Sequence, residues 1–334
     1  MIAYRRILAC IDDFDRDAKM LAYIANIVRL AGIEEVHLIY ASEDLLRPSY
    51  SDYSSHVQSR LDSGIPPAPD MFDVQNERVE YLAQSAFGSL PGCAVKTHVV
   101  YGAPMHEALE LSLTLDVDII AMRQSFGELS EKGSKALAAR RIARRAACSI
   151  LTVPDDFVFE TANILVPVRD SDCSQNAFVA ACAIAEATGG MVEALNIYQV
   201  YSDYMFAGIP LGEHLADLED RARQETRSLL DRTAFGNVEV RTHFMPDLNA
   251  DPVGVIRRRA REMKANMFVI GARGRTGAAG ILLGTVTEQL LQQAEMPVLA
   301  VKTKGESLGV VRTLLEMMGV EKLRNSEVSS TMNE

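Results

Sequence analysis

The chain has 334 residues, 48% of them hydrophobic and 24% charged, with a formal net charge of −11 at pH 7. That length suits two domains of ordinary size with a sizeable core, and the acidic balance argues against a general nucleic-acid binder. No uninterrupted apolar stretch reaches the roughly eighteen residues of a membrane span, and the five cysteines (Cys10, Cys93, Cys148, Cys173, Cys182) follow no Cys-x-x-Cys spacing, which predicts buried thiols in a reducing compartment, the cytoplasm.

Taken in order, Ile7 to Ile11 form a short apolar run that Asp12-Asp13 ends. The run is too short for a secretory h-region and reads as a first buried strand. A helical segment follows over roughly Arg16 to Leu30, then a strand over Glu35 to Tyr40. Residues 44–72 are rich in Ser, Pro, Asp and Tyr and include Ile65-Pro66-Pro67-Ala68-Pro69, the composition of a loop or mobile insertion. Next come a polar helix over Asp73 to Ala86, a strand over Val95 to Val100, and a helix opened by Ala103-Pro104, since proline is tolerated in a first turn. Strands over Asp118 to Met122 and Ser149 to Val153 close this half.

After a joint near Pro154 to Thr161 the same order returns. Strand Ile164 to Val168 matches Ile7 to Ile11, and helix Cys173 to Thr188 follows it. Then come strand Met191 to Tyr198, helix Glu213 to Thr233, strand Val238 to Phe244, a helix opened by Asp251-Pro252, and strands Asn266 to Ile270 and Pro297 to Val301. Five strands alternating with four helices in each half predict βαβ crossovers and a parallel sheet covered on both faces. The fold class is therefore α/β: two tandem open-sheet, Rossmann-like domains over residues 1–154 and 161–302. The last strand of each half is apolar and otherwise an edge, so Ser149 to Val153 and Pro297 to Val301 are candidates to pair across the halves. Residues 303–334 lie outside the repeat. Val310 to Met318 suggests a short amphipathic helix, and Asn325 to Glu334 has the composition of a disordered tail.

The second half carries Gly271, Gly274 and Gly284-Thr285 in the spacing G-x2-G-x9-G-[S/T], between the apolar strand ending at Ile270 and a helical segment from Val286. Glycines at such a junction let the backbone approach a ligand, and N–H groups at a helix start favour an anion. From spacing alone two readings stand: a phosphate cradle, or a flexible loop that binds nothing. No Walker A, His-Glu-x-x-His or Gly-x-Ser-x-Gly pattern is present, and nothing points to a nucleophile with its base.

With its repeated first strand, the element Gly102-Ala103-Pro104-Met105-His106-Glu107, the glycine loop and Met296-Pro297-Val298-Leu299, the chain resembles the universal stress protein (UspA) family over about residues 3 to 302. The resemblance implies an adenine-nucleotide site in the second half, for ATP with Mg²⁺ arriving alongside the phosphates. Gly271 and Gly274 would let the backbone approach the phosphates. Gly284, Thr285, Val286 and Thr287 would supply N–H and hydroxyl donors, and Arg273 would pair with a phosphate. Pro167 and Val168 would flank the nucleoside, Ile197 would pack on adenine, and Ile270 ends the strand that leads into the loop.

The family usually has Asp at the end of its first strand. This chain has Arg169, which cannot accept a hydrogen bond and could instead reach a phosphate. The first half keeps the acid as Asp12 and loses the glycines: Arg123 stands at Gly271, Phe126 at Gly274, Ala136 at Gly284 and Leu137 at Thr285. Bulk and charge there predict no nucleotide in the first half. The resemblance further implies a non-enzymatic sensor, with a homodimer and an unknown protein partner. Slow ATP hydrolysis or autophosphorylation and a nucleotide-independent scaffold are the alternatives.

Two basic runs, Arg140 to Arg145 and Arg257 to Arg261, read as solvated helix faces, because no aromatics interleave with them as a nucleic-acid platform requires. His98 and His243 read as strand packing, with no ligand cluster for a metal beside them. Thr285 and Thr287 read first as hydrogen-bond donors at a helix start.

Overall fold

The computed structural model describes residues 4–43, 71–126, 137–159, 162–201, 210–233, 236–272 and 283–302. Most of the sequence-predicted insertion, the tail, Arg273, Gly274 and Ala136 lie outside the described residues, as does the side chain of Leu137. The first half runs β1 (Arg6–Ile11), α1 (Phe14–Ala31), β2 (Glu35–Ser42), α2 (Met71–Phe87), β3 (Ala94–Tyr101), α3 (Pro104–Thr114), β4 (Ile119–Arg123), α4 (Leu137–Arg145) and β5 (Ser149–Val153). The second runs β6 (Asn163–Pro167), α5 (Asp172–Thr188), β7 (Met191–Gln199), α6 (Leu211–Asp231), β8 (Glu239–Asp247), α7 (Pro252–Met263), β9 (Met267–Gly271), α8 (Thr285–Gln293) and β10 (Val298–Val301). Residues Met71 and Phe72, expected at the end of the insertion, already belong to α2.

Local chemistry sets the helix ends. Asp13 caps α1 by accepting from the N–H groups of Asp15 and Arg16, and Gly32 closes it in the left-handed conformation, φ 67°, where a Cβ is costly. Ser171 caps α5 through the Ser174 N–H, and Gly189 closes it at φ 68°. Asp251 caps α7 through the Gly254 N–H, with Pro252 in the first turn.

The strands form one ten-stranded sheet in the order β3-β2-β1-β4-β5-β10-β9-β6-β7-β8. Within each half the pairings are parallel, and β5 pairs with β10 antiparallel. The two five-stranded sheets are thus fused through the strands that would otherwise be bare edges. Leu151 lies opposite Leu299, its own counterpart in the repeat, so a pseudo-twofold axis passes between them.

Alternate residues of each strand serve two cores. Ile7, Ala9 and Ile11 face α1, α2, α5 and α6, where Ile24, Phe87, Phe178 and Leu229 are buried. Leu8 and Cys10 face the opposite side, where Leu109, Ile142, Ile256 and Leu290 pack from α3, α4, α7 and α8. Both cores run through both halves. Each fully buried Leu, Ile or Phe contributes about 1.5–3 kcal/mol, so the seam is part of the core rather than a hinge between two bodies.

Lys302 pins the seam. It is buried, with Nζ donating to the carbonyls of Ala143 and Ala146, both at 2.7 Å. These carbonyls close the C-terminal end of α4, where a cation is favoured. The Lys302 N–H also donates to Ser149 Oγ at 3.1 Å.

Candidate functional site

Strand β6 opens the second half and lies between β7 on one side and β9 on the other. The chain therefore reverses its direction of growth across the sheet at β6, and the strand ends part there to leave a crevice. A cavity of about 350 Å³ occupies it. Its walls are Pro167, Val168 and Arg169 after β6, Leu195 and Ile197 of β7, Ile270 and Gly271 of β9, Pro252 and Ile256 of α7, Ser174 of α5, and Gly284 to Thr287 at the start of α8. Ten of the twelve residues singled out from the sequence meet around this one space. The other two are Arg273 and Gly274. Ser174, Leu195, Pro252 and Ile256 were missed, because their spacing marks only strand and helix faces and not a shared cavity.

The polar wall is the N-terminus of α8. The Glu288 N–H donates to the Gly284 carbonyl at 2.9 Å, so the preceding N–H groups of Thr285, Val286 and Thr287 come before the first intrahelical bond. Such groups, at the positive end of the helix dipole, attract an anion. Gly284 supplies no side-chain cap. The Thr287 hydroxyl is engaged within the protein, donating to the Gly271 carbonyl at 3.0 Å. It ties the start of α8 to the end of β9, so the donor that Thr287 keeps for the cavity is its backbone N–H.

Gly271 owes its identity to packing. A Cβ there would stand 2.7 Å from the Cys173 carbonyl oxygen and 3.0 Å from Cys173 Cβ. The missing side chain lets the first turn of α5 press against the end of β9, which brings Ser174 to the cavity wall.

Arg169 is exposed at the cavity, and among the described residues its guanidinium has no hydrogen-bond or ion-pair partner. Its N–H donates to Ser174 Oγ at 3.1 Å. No carboxylate lines the cavity among the described residues. Asp170, next along the chain, is turned away into an ion pair with Arg232.

In the first half the equivalent place is filled from within. Arg123 at the end of β4 is buried and pairs with Asp12, with Asp17 Oδ1 at 2.6 Å and with Asp155 Oδ1 at 3.1 Å. It also donates to Ser125 Oγ, which in turn donates to Asp155 at 2.7 Å. Asp17 Oδ2 accepts from the N–H groups of Asp12 and Asp13 at 2.8 and 2.9 Å. Asp12, the retained strand-end acid, is thereby paired within the protein. Burial pushes the Asp17 carboxyl up to about 6, against the pull of Arg123 and with help from Asp12. Phe126, expected to obstruct this half, is buried in the core facing α3 and α4. Gln124 crosses the seam, its amide donating to the carbonyls of Leu291 and Ala294 at 3.3 and 3.2 Å near the end of α8.

The basic runs are solvated as expected, with Arg141, Arg144, Arg258 and Arg261 exposed, and several of their arginines also make ion pairs. Arg144 reaches across the seam to Glu288 Oε2 at 2.7 Å, and Arg259 forks onto the buried Glu193 at 2.6 and 2.8 Å. His98 contacts the buried His37, Nε2 to Nδ1 at 3.0 Å, and His37 contacts Glu35 at 3.3 Å. Burial lowers both histidine pKa values. Among the described residues, His106, Glu107 and Glu110 on the first turns of α3 bring three potential ligand atoms within 4.8 Å of one another. Among the described residues, no helix is long and apolar enough to cross a membrane.

Comparison with known proteins agrees with this fold. A solved protein of unknown function from Pseudomonas aeruginosa superposes with a TM-score of 0.60 at 16% identity, covering 94% of this chain and 97% of its own. A universal stress protein from Archaeoglobus fulgidus gives 0.55 at 16% identity, covering 90% and 97%. A universal stress protein of Mycobacterium tuberculosis is 27% identical over 230 residues, 66% of this chain and 73% of the relative. Another, of Methanocaldococcus jannaschii, is 31% identical over 143 residues, 42% of this chain and 81% of the relative. The sequence profile of the universal stress protein family matches residues 160–302, and the chain belongs to that family.

Proposed function

We propose that the cavity of the second half binds ATP or a related adenine nucleotide, and that this is a sensor or regulatory ligand rather than a substrate for fast turnover. One observation carries the reading: a wall of free helix N-terminal N–H groups and a set of apolar side chains line the same 350 Å³ space. The start of α8 would receive the phosphates, while Leu195, Ile197, Pro252 and Ile256 would bury the base. Mg²⁺ would arrive with the phosphates, because no carboxylate among the described residues lines the cavity to hold it in advance. Among the described residues the lining offers no side-chain base beside a nucleophile, which supports a binding role over an enzymatic one.

In this reading the chain is a tandem of two universal stress protein units working in the cytoplasm, with the first site closed by Arg123 and the whole pairing further as a homodimer with a protein partner downstream. Melting the protein with and without ATP–Mg²⁺, and again after Gly284→Val, tests it. Ligand at about 100 times Kd stabilises by roughly 2.7 kcal/mol. Absence of any shift at millimolar ATP would leave the nucleotide-independent scaffold, and many turnovers of product would replace the sensor with an ATPase.

A further inference from the structure

Three adjacent strands floor the cavity in the order β9, β6, β7. Over β9 lies the start of α8 with its N–H groups, and over β7 the apolar wall of Leu195 and Ile197, closed by Pro252 and Ile256 of α7. Strands lie about 4.8 Å apart, so the anion-seeking end and the apolar end are separated by roughly two strand spacings. Arg169 follows β6, the middle strand. In a nucleotide laid across these three strands, phosphate over β9 and base over β7, the sugar comes over β6 beside Arg169.

That guanidinium is a cation without a counter-charge. It is exposed at the cavity, and neither a carboxylate nor any other side-chain partner meets it among the described residues. The same protein treats its other site guanidinium in the opposite way, closing Arg123 with Asp12, Asp17 and Asp155. The counterparts of Asp12 and Asp17 in the repeat are Arg169 itself and Ser174, so the second cavity carries positive charge where the first carries acid. A guanidinium presents several donors in a planar fork and no acceptor, which suits phosphate and does nothing for a free sugar hydroxyl seeking an acceptor.

We propose that the cavity selects adenine nucleotides carrying a second anionic group on the ribose, a 2′- or 3′-phosphate, and that Arg169 is the residue that reads it. The inference rests on the cavity being a nucleotide site. Arg169 pairs with the ribose phosphate by charge-assisted hydrogen bonds while α8 holds the 5′-phosphate.

Titration calorimetry on the full chain decides it, with AMP, adenosine 2′,5′-bisphosphate, adenosine 3′,5′-bisphosphate and ATP–Mg²⁺ as probes and Arg169→Ala and Arg169→Lys as variants. One bisphosphate should bind the wild type about tenfold or more tighter than AMP, and the better of the two identifies the hydroxyl. The preference should vanish in Arg169→Ala and return in part in Arg169→Lys. Equal binding of AMP and both bisphosphates, or a preference that survives Arg169→Ala, overturns the proposal. If ATP binds and no bisphosphate is preferred, this inference alone fails. If no probe binds, the nucleotide site fails and takes the inference with it.

Discussion

Arg123 Nε donates to Asp17 Oδ1 at 2.6 Å, and both side chains are closed off from water. Their counterparts in the repeat are Gly271 and Ser174, neither of them charged. The duplicated fold thus offers the same crevice twice, and one copy is filled by an internal cation.

Removing that cation is expected to be costly. Arg123→Ala leaves the buried Asp17 facing Asp12 with no counter-charge, which costs about 3–5 kcal/mol. Pairing it with Asp17→Asn should recover much of the loss, because the amide oxygen can still accept from the Asp12 and Asp13 N–H groups. Denaturant melts of the two variants check this, and an equal loss in both would show that Arg123 acts through packing alone.

Asp17 should also leave a pH signature. Its folded pKa of about 6 lies above the roughly 3.9 of an unfolded aspartate. The folded state therefore holds the proton more tightly, and this contribution is complete below about pH 4 and lost as pH rises through about 6. Wild type should lose stability relative to Asp17→Asn between pH 4 and 7. A difference that stays constant across that range contradicts the assignment.

Gly271→Ala tests the packing reason for the glycine. The new Cβ would meet the Cys173 carbonyl at 2.7 Å, so α5 must shift, at a cost of about 1–3 kcal/mol. The melting temperature should fall even with no ligand present. An unchanged melt would show that the end of β9 can give way.

Lys302→Met keeps the length of the side chain and removes its charge and donors. The carbonyls of Ala143 and Ala146 lose the partner they have at 2.7 Å, for about 1–3 kcal/mol. Hydrogen exchange should rise first at the end of α4 and in β5. Protection unchanged at both places would remove Lys302 from the seam.

Thiol labelling reads the cores. Cys148 and Cys182 are pushed up to about 12, chiefly by burial, and Cys10 is pushed up as well. A thiolate-selective reagent at pH 8 should modify these three only as fast as the protein opens. Rapid reaction at Cys10 would contradict its place under α3 and α4.

Much of this was legible in the residue order. Ile7 to Ile11 and Ile164 to Val168 carry the same apolar run, and helix starts are written locally at Ala103-Pro104 and Asp251-Pro252. Strand and helix order, the duplication and the glycine spacing around Gly271 and Gly284 all depend on neighbours within a few turns of chain. Those signals also placed the α8 start beside a strand end, and with it most of the cavity wall.

Other features required the fold, because their partners are far apart in sequence. Asp12, Asp17 and Asp155 reach Arg123 only after parallel crossovers bring the ends of β1, β4 and β5 together. The fusion of the halves rests on Leu151 opposite Leu299 and on Lys302 at the end of α4. By itself the sequence determined that there are two α/β halves and that one carries the glycine spacing. The tertiary structure decided that the halves share one sheet, that the first crevice is filled by its own arginine, and that Arg169 meets no counter-charge at the second among the described residues. A long-range ion pair has no local periodicity to announce it, and whether a charge is satisfied depends on which distant side chains the packing brings within reach.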